Sequence, residues 1–133
     1  MPRFMLDTNV CIHAIKRNEP EVVRRLEKTR PQDVAISGIV AAELWTSVMK
    51  SRERGRNERA LREFLGFVDV LDWPAEAAKV YGEIRAALEQ QGKPIGAMDL
   101  LIATHALYEH AILATRNTRE FERIKELKLV SWA

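Results

Sequence analysis

The stretch Phe4-Met5-Leu6-Asp7-Thr8-Asn9, near the start of the chain, decides the fold. Its first three residues are apolar without a break, which predicts a short strand that is buried on both faces. The three polar residues that follow end the strand, and Thr8 or Asn9 can then cap a helix that runs to about Lys16. A buried strand that leads at once into a helix predicts an α/β fold with parallel strands.

The alternation of strand and helix continues along the rest of the chain. Further short apolar runs predict strands at 33–36, 68–71 and 111–114, and an edge strand at 129–130. Helices are predicted at 20–28, 39–50, 54–66, 72–92 and 96–110, and a short helix that Thr118 caps follows the fourth strand. Asp72 is expected to cap the helix at 72–92, with Pro74 in its first turn. These elements predict a parallel sheet that helices cover on both faces.

Length and composition are those of one folded domain over 1–133. Of the 133 residues, 47% are hydrophobic and 30% are charged, so the chain can bury a core without disulfides. The single cysteine, Cys11, cannot form an internal disulfide, which favours a reducing cytoplasm. The sequence has no run of 18 apolar residues and no signal-peptide pattern, so neither membrane insertion nor export is expected. The net charge of +2 excludes a histone-like polycation.

Acidic side chains are predicted to gather at one edge of this sheet. Parallel sheets bind ligands beyond the carboxyl ends of their strands, where the strand order switches. Asp7 directly follows the first strand, and Glu43 borders the apolar face of the helix after the second strand. Asp99 stands early in the helix at 96–110, on a face that is otherwise apolar. The ordinary alternatives are that Asp7 caps a helix and that Asp99 stabilises a helix N-terminus.

A fourth polar ligand is expected from the segment after the fourth strand, where Asn117 and Glu120 stand. Glu120 can instead complete a capping box at the start of the short helix. Several carboxylates close together cannot all stay ionised unless a cation neutralises them. Oxygen ligands without a cysteine or histidine cluster suit Mg²⁺ or Mn²⁺, which can activate water against a phosphodiester. The pattern therefore favours metal-dependent hydrolysis of a nucleic acid.

Other polar and basic residues are expected to support this chemistry. Four small side chains near the acids are expected to orient a carboxylate or contact a phosphate oxygen: Thr8, Asn9, Ser37 and Thr115. For Thr8 and Ser37 the alternative role is helix capping. Basic residues crowd one stretch and are expected to attract a phosphate backbone, with a solvated helix face as the alternative: Lys50, Arg52, Arg54 and Arg56.

Four motifs carry a resemblance that covers essentially the whole chain. They are Met5-Leu6-Asp7-Thr8-Asn9, the spacing from Ser37 to Glu43, Gly92-Lys93-Pro94-Ile95-Gly96 leading to Asp99, and Thr115-Arg116-Asn117-Thr118-Arg119-Glu120-Phe121. Together they resemble the PIN-domain nucleases and, more closely, the VapC toxins of type II toxin–antitoxin systems. The resemblance implies a five-stranded parallel sheet sandwiched by helices, with Asp7, Glu43 and Asp99 as an acidic triad for Mg²⁺ or Mn²⁺. Many PIN domains carry an acid in place of Asn117, so the fourth ligand stays open between Asn117 and Glu120.

The resemblance also implies a substrate and partners. Members of the family cut structured RNA, and tRNA anticodon stem-loops, including that of initiator tRNA, are frequent targets whose cleavage inhibits translation. A cognate VapB antitoxin is expected to block the site, and the toxin is expected to be a homodimer within a heterotetramer or hetero-octamer. Such a cytoplasmic complex is expected to bind its operator DNA only through the antitoxin.

Three rival interpretations stand beside the nuclease. A phospho-acceptor receiver domain has a similar doubly wound sheet, but no suitable lysine follows the fourth or fifth strand. A haloacid-dehalogenase phosphatase needs a second aspartate in its first motif, which Asp7-Thr8-Asn9 lacks. A catalytically dead interaction module would keep the fold and show no metal-dependent activity.

Overall fold

One sheet of five strands forms the centre of the molecule in the computed structural model, which describes residues 3–133. The strands are β1 Phe4–Leu6, β2 Val34–Ser37, β3 Asp69–Leu71, β4 Ile112–Thr115 and β5 Lys128–Ser131. Neighbouring strands pair in parallel throughout, in the order β3-β2-β1-β4-β5. The five-stranded parallel sheet expected from the sequence is confirmed.

Seven α-helices connect the strands within the described residues. They are α1 Thr8–Lys16, α2 Pro20–Lys28, α3 Gly38–Lys50, α4 Arg54–Leu65, α5 Ala77–Gln90, α6 Ala97–Tyr108 and α7 Thr118–Phe121. Successive side chains of a strand point to opposite faces of the sheet, and every residue of β2 is buried. Helices therefore cover both faces of the central sheet, as the unbroken apolar runs predict. None of the helices in 3–133 is long and apolar enough to cross a membrane.

The order in which the chain adds strands to the sheet reverses direction at β1. From β1 the chain winds through β2 to β3 on one side of the sheet, and it returns at β4 on the other side of β1. The ends of β1 and β4 are joined by a backbone hydrogen bond, in which the N–H of Asp7 donates to the carbonyl of Ala114 at 3.1 Å. The switch point, where sheets of this kind bind ligands, therefore lies next to Asp7 and Thr115.

Two helices start one residue away from the positions predicted for them. Asp7, rather than Thr8 or Asn9, caps α1, because Asp7 keeps an extended backbone while Thr8 is already helical. In α7, Thr118 is the first helical residue and Asn117 precedes it, so Thr118 is not the cap. Both shifts place a residue of the predicted site at a helix N-terminus.

The predicted cap of the long helix at 72–92 is wrong, because α5 begins five residues after Asp72. The indole N–H of Trp73 donates to the carbonyl of Leu101 in α6 at 2.9 Å, which holds this segment against α6. Pro74 lies in a turn, in which the N–H of Ala77 donates to the carbonyl of Pro74 at 3.0 Å. The proline therefore precedes the helix instead of opening it.

Candidate active site

Asp7 lies at the end of β1 and accepts two hydrogen bonds. Its Oδ1 accepts from the backbone N–H of Val10 at 2.9 Å, which makes Asp7 the cap of α1. Its Oδ2 accepts from the hydroxyl of Thr115, the last residue of β4, at 2.5 Å. Burial raises the pKa of Asp7, the nearby charge of Glu43 raises it further, and the two hydrogen bonds oppose the change. The capping role and the predicted site position therefore belong to the same carboxylate.

Glu43 is brought to Asp7 by a contact between two helices. It stands in the second turn of α3, half-buried, and its Oε1 accepts from the hydroxyl of Thr8 at 2.5 Å. Thr8 is the first residue of α1 and directly follows Asp7. The hydrogen bond thus fixes the Glu43 carboxylate beside the end of β1, close enough for its charge to raise the pKa of Asp7.

Asp99 and Glu120 form a second pair of carboxyl groups. Asp99 lies in the first turn of α6, and its carboxyl is within hydrogen-bonding reach of Glu120 from α7. Partial burial, the contact with Glu120 and the charges of Glu43 and Asp7 raise the pKa of Asp99 to about 6. The amide of Asn117 donates to Glu120 at 3.3 Å. The four acids therefore interact electrostatically at one edge of the sheet, and Asn117 orients Glu120 there.

The small polar side chains predicted near the acids divide into two groups. Thr8 and Thr115 each donate a hydrogen bond to a site carboxylate. Ser37 is fully buried and caps α3, with its hydroxyl accepting from the N–H of Ile39 at 3.1 Å. Asn9 is exposed on α1, and no hydrogen bond from it to an acid occurs among the described residues. Among residues 3–133, Thr8 and Thr115 thus form hydrogen bonds to the carboxylates, whereas Ser37 and Asn9 form none.

The predicted basic residues flank the site rather than enter it. Lys50, Arg52, Arg54 and Arg56 are exposed where α3 ends and α4 begins. Lys50 is seven residues beyond Glu43 on the same helix, which corresponds to roughly 10 Å along the axis. Arg56 forms an ion pair with Glu53 at 3.5 Å. These charges can therefore contact parts of a long substrate that lie away from the acids.

The chemistry of the donor set fits Mg²⁺ or Mn²⁺. Four carboxyl groups supply only hard oxygen atoms, which these ions prefer. The raised pKa values of Asp7 and Asp99 reflect burial and mutual repulsion, which a bound divalent cation would relieve. Within 3–133 no three acidic, histidine or cysteine side chains stand close enough to enclose an ion as they are. Some closing of the carboxylates around the ion is therefore expected.

Arg116 and Glu19 form an ion pair at the edge of the site. The sequence pattern does not predict this pair. The Nη1 of Arg116 lies 3.2 Å from Oε1 of Glu19, in the connection between α1 and α2. Arg116 stands between Thr115 and Asn117, both of which contact site residues. Its position within the motif that follows β4 is the one sequence feature that could have drawn attention to it.

An apolar cavity of about 550 Å³ lies between α1, α2 and α4. It is at the end of the sheet opposite to the acids, which lie beyond the carboxyl ends of the strands. Val34, the first residue of β2, and Val68, just before β3, contribute to its wall, so it faces the amino ends of the strands. Phe67 also lines it and is 65% exposed, an unusual state for a large apolar side chain. This surface is therefore distinct from the candidate active site.

Comparisons with known proteins agree on one family. The PIN domain family matches residues 4–127. The chain is 43% identical to ribonuclease VapC2 of Rickettsia felis, over 97% of both chains. It is 42% identical to the tRNA(fMet)-specific endonuclease VapC of Shigella flexneri, over 100% of both. A similar chain is present in the crystal structure of VapBC2 from Rickettsia felis bound to a DNA fragment from its promoter. It superposes on this chain with a TM-score of 0.92 over 98% of both chains, at 42% sequence identity.

Proposed function

The chain belongs to the PIN-domain family and within it to the VapC ribonucleases, and from this premise we propose that it is a Mg²⁺- or Mn²⁺-dependent endoribonuclease toxin that cleaves tRNA. The receiver-domain and phosphatase interpretations are wrong for a chain of this family. The observation that carries the proposal is the meeting of Asp7, Glu43, Asp99 and Glu120 at the switch point of the sheet. A catalytically dead module would have no use for four mutually repelling carboxylates in one place.

Asp7 and Asp99 are the proposed principal ligands of the ion, with Glu43 beside them and Glu120 as the fourth carboxylate. When bound, the ion would activate water and stabilise negative charge on the phosphate. Thr115 and the N–H of Val10 hold Asp7 in one orientation, so this ligand needs little rearrangement. Glu120 contributes its carboxylate directly, and Asn117 acts by orienting Glu120.

Glu43 is the proposed acceptor of the proton from the attacking water. Its Oε1 is occupied by the hydroxyl of Thr8, whereas no donor to Oε2 occurs among the described residues. Oε2 can therefore take a proton while Thr8 keeps the carboxylate aligned. In-line attack of the resulting hydroxide on phosphorus breaks the bond to the 3′ oxygen, which takes up a proton from water.

The proposed substrate is tRNA, with the initiator tRNA anticodon stem-loop as the first candidate, and its cleavage would inhibit translation in the cytoplasm. The similarity to a tRNA(fMet)-specific endonuclease over the whole chain supports this choice. The exposed basic side chains between α3 and α4 supply positive charge for the RNA backbone: Lys50, Arg52, Arg54 and Arg56. Recognition would rest on loop shape and unstacked bases, as is usual for structured RNA.

The proposed partner is a cognate VapB antitoxin, which would inhibit the nuclease and carry it to operator DNA. A similar chain occurs in the DNA-bound VapBC2 complex of Rickettsia felis, which supports this partner. The apolar cavity beside the exposed Phe67 is a surface that a partner chain can cover. We further propose a toxin homodimer within a heterotetramer or hetero-octamer with the antitoxin.

The decisive experiment is cleavage of total tRNA by antitoxin-free protein in Mg²⁺ or Mn²⁺, with new ends mapped by primer extension. We expect a discrete cut that EDTA abolishes and that Asp7→Ala removes while circular dichroism stays unchanged. A cut that survives both EDTA and Asp7→Ala would come from a contaminant and would contradict the proposal. If tRNA stays intact while ribosomal RNA is cut in a metal-dependent way, the nuclease stands and the tRNA assignment is wrong.

A further inference from the structure

Arg116 has a backbone position that is fixed next to the acids. The hydroxyl of Thr115 accepts from the N–H of Asn117 at 2.9 Å and donates to Asp7, so a hydrogen-bonded turn spans Arg116. The register of β1 and β4 places Leu6 beside Ala114, which puts Arg116 one residue beyond the Asp7–Thr115 pair. The two strands are about 4.8 Å apart. The base of the Arg116 side chain is therefore held within a short distance of the carboxylates.

The guanidinium of Arg116 is poorly satisfied in its present position. Its only ion pair among the described residues is a single contact with Glu19, and the two side chains are 30% and 37% exposed. A half-buried pair joined by a single contact and open to solvent on one side contributes little to stability. The Nε of Arg116 is buried and meets no acceptor in the described residues, which is an unfavourable state for a donor. The side chain can therefore leave Glu19 at small cost.

An RNA phosphate that binds near the acids would be stabilised by a cation held close to them. Four carboxyl groups interact there, and they repel the phosphates that flank a scissile bond. The predicted basic stretch begins only at Lys50, well along α3 from Glu43. A guanidinium matches a phosphate well because its planar N–H groups can donate two parallel hydrogen bonds. The hydrogen bonds of Thr115 hold the backbone of Arg116 beside Asp7, so its guanidinium can serve this role.

We propose that Arg116 exchanges Glu19 for an RNA phosphate next to the scissile one and thereby positions the substrate over the carboxylates. The inference deepens the proposed ribonuclease function and rests on it. Glu19 acts as the resting partner of the guanidinium until an RNA phosphate replaces it. The expected contribution is to substrate binding, so KM and RNA affinity should change and kcat should change little.

The test compares Arg116→Gln and Arg116→Lys with Arg85→Gln, which removes a salt-bridged arginine from α5 and so matches the loss of charge. Binding of total tRNA is measured against salt in a Glu43→Gln background, which lacks the proposed proton acceptor. In that background we expect Arg116→Gln to reduce the slope of log K against log salt by about 0.7 to 0.9. In the protein that keeps Glu43, the same substitution should raise the KM for tRNA cleavage roughly tenfold. Arg116→Lys should keep the slope and recover part of the affinity, and Glu19→Gln should tighten binding.

The inference fails if Arg116→Gln and Arg85→Gln give the same slope and the same KM, or if the chain binds no tRNA. Thermal unfolding should not separate the two variants, which excludes a purely structural effect of Arg116. If the protein cuts no RNA but Arg116→Gln still reduces the salt slope, the proposed nuclease function is wrong and the phosphate contact stands. If cleavage occurs and the Arg116 variants behave like the control, only the phosphate contact is wrong.

Discussion

The hydroxyl of Thr115 donates a 2.5 Å hydrogen bond to Oδ2 of Asp7, which ties the last residue of β4 to the first residue beyond β1. The two strands are neighbours in the sheet although more than one hundred residues separate them in sequence. The bond stabilises the charged form of Asp7 against burial, which acts in the opposite direction. The pairing of β1 with β4 therefore supplies the hydroxyl that favours the ionised form of Asp7.

Thr115→Val should weaken metal-dependent cleavage. The substitution keeps the shape of the side chain but removes the donor to Asp7, so the Asp7 pKa rises further and the carboxylate loses its fixed orientation. We expect cleavage at subsaturating Mg²⁺ to fall about 10- to 100-fold, with partial recovery at high Mg²⁺. A Mg²⁺ titration of initial rates measures this. Thr115→Ser, which retains the hydroxyl, is the control, and equal losses in both variants would contradict the explanation.

Asp99→Asn should stabilise the metal-free protein near neutral pH. The folded protein raises the pKa of Asp99 from 3.8 to about 6, so the native state binds a proton more tightly than the unfolded state does. Stability therefore falls as pH rises through this interval, and above it the ionised carboxylate is unfavourable. We expect the free energy of unfolding of Asp99→Asn to exceed that of the parent by about 1 to 2 kcal/mol at pH 7.5, after allowance for partial exposure.

Urea unfolding in EDTA at pH 7.5 and at pH 4 measures this difference, which should nearly vanish at pH 4. Glu83→Gln, an exposed charge change on α5, is the control and should alter stability little at either pH. A loss of stability in Asp99→Asn at pH 7.5 would show that Asp99 is held by favourable partners and not by repulsion. Cleavage should be lost in this variant in either case.

Mg²⁺ or Mn²⁺ should raise the melting temperature of the parent protein and have little effect on Asp99→Asn. A ligand that binds only the native state stabilises it in proportion to the logarithm of its concentration over Kd. The parent should therefore gain about 2.7 kcal/mol at a metal concentration one hundred times Kd. Differential scanning calorimetry in increasing MgCl₂ tests this, with KCl at matched ionic strength as the control. Equal shifts in parent and variant would point to binding outside the acidic cluster.

The fold and the positions of the three acids in it could be predicted because their signals are local. The run Phe4-Met5-Leu6 is apolar without a break and ends at Asp7, while Glu43 and Asp99 lie in the first two turns of helices. The start of α5 could not be predicted, since Pro74 fits a helical first turn as well as a preceding turn. The choice depends on the hydrogen bond from Trp73 to α6, a contact between residues far apart in sequence.

The contacts between individual site residues were harder to predict from the sequence than the list of residues at the site. The sequence leaves the fourth polar group open between Asn117 and Glu120, because the distance of either side chain from Asp99 depends on tertiary packing. In the structure Glu120 lies close enough to Asp99 to raise the pKa of Asp99. Ser37 has a side chain that suits either capping or contact with an acid, and the geometry of α3 decides for capping. Sequence patterns thus identify which residues reach the sheet edge, whereas pairing among them requires the packing of the helices.

Phe67→Ser should weaken neutralisation by the cognate VapB antitoxin and leave cleavage intact. Phe67 is 65% exposed beside the apolar cavity, so its replacement removes apolar area from the proposed antitoxin interface without opening the core. We expect a loss of antitoxin affinity of roughly tenfold or more. Tyr108→Ser, which removes a 39% exposed aromatic ring from α6, is the matched control. Unchanged inhibition in Phe67→Ser would remove the cavity from the antitoxin interface.

Thr8→Val should lower kcat more than it raises KM. The hydroxyl of Thr8 donates to Oε1 of Glu43 and so leaves Oε2 to take the proton of the attacking water. Without that donor the carboxylate can rotate, and the fraction of complexes with a correctly placed proton acceptor falls. We expect kcat to fall by about 10- to 100-fold while the KM for tRNA stays within a few fold, because Thr8 holds no phosphate in this mechanism.

Steady-state cleavage of tRNA by Thr8→Val, Thr8→Ser and Glu43→Gln measures how these residues act together. Thr8→Ser keeps the donor and should retain most of the activity. The double variant Thr8→Val with Glu43→Gln should be no slower than Glu43→Gln alone, because Thr8 acts through Glu43 and the two effects cannot add. Additive losses in the double variant would mean that Thr8 contacts the substrate or the metal independently, and the alignment role given to its hydroxyl would then be wrong.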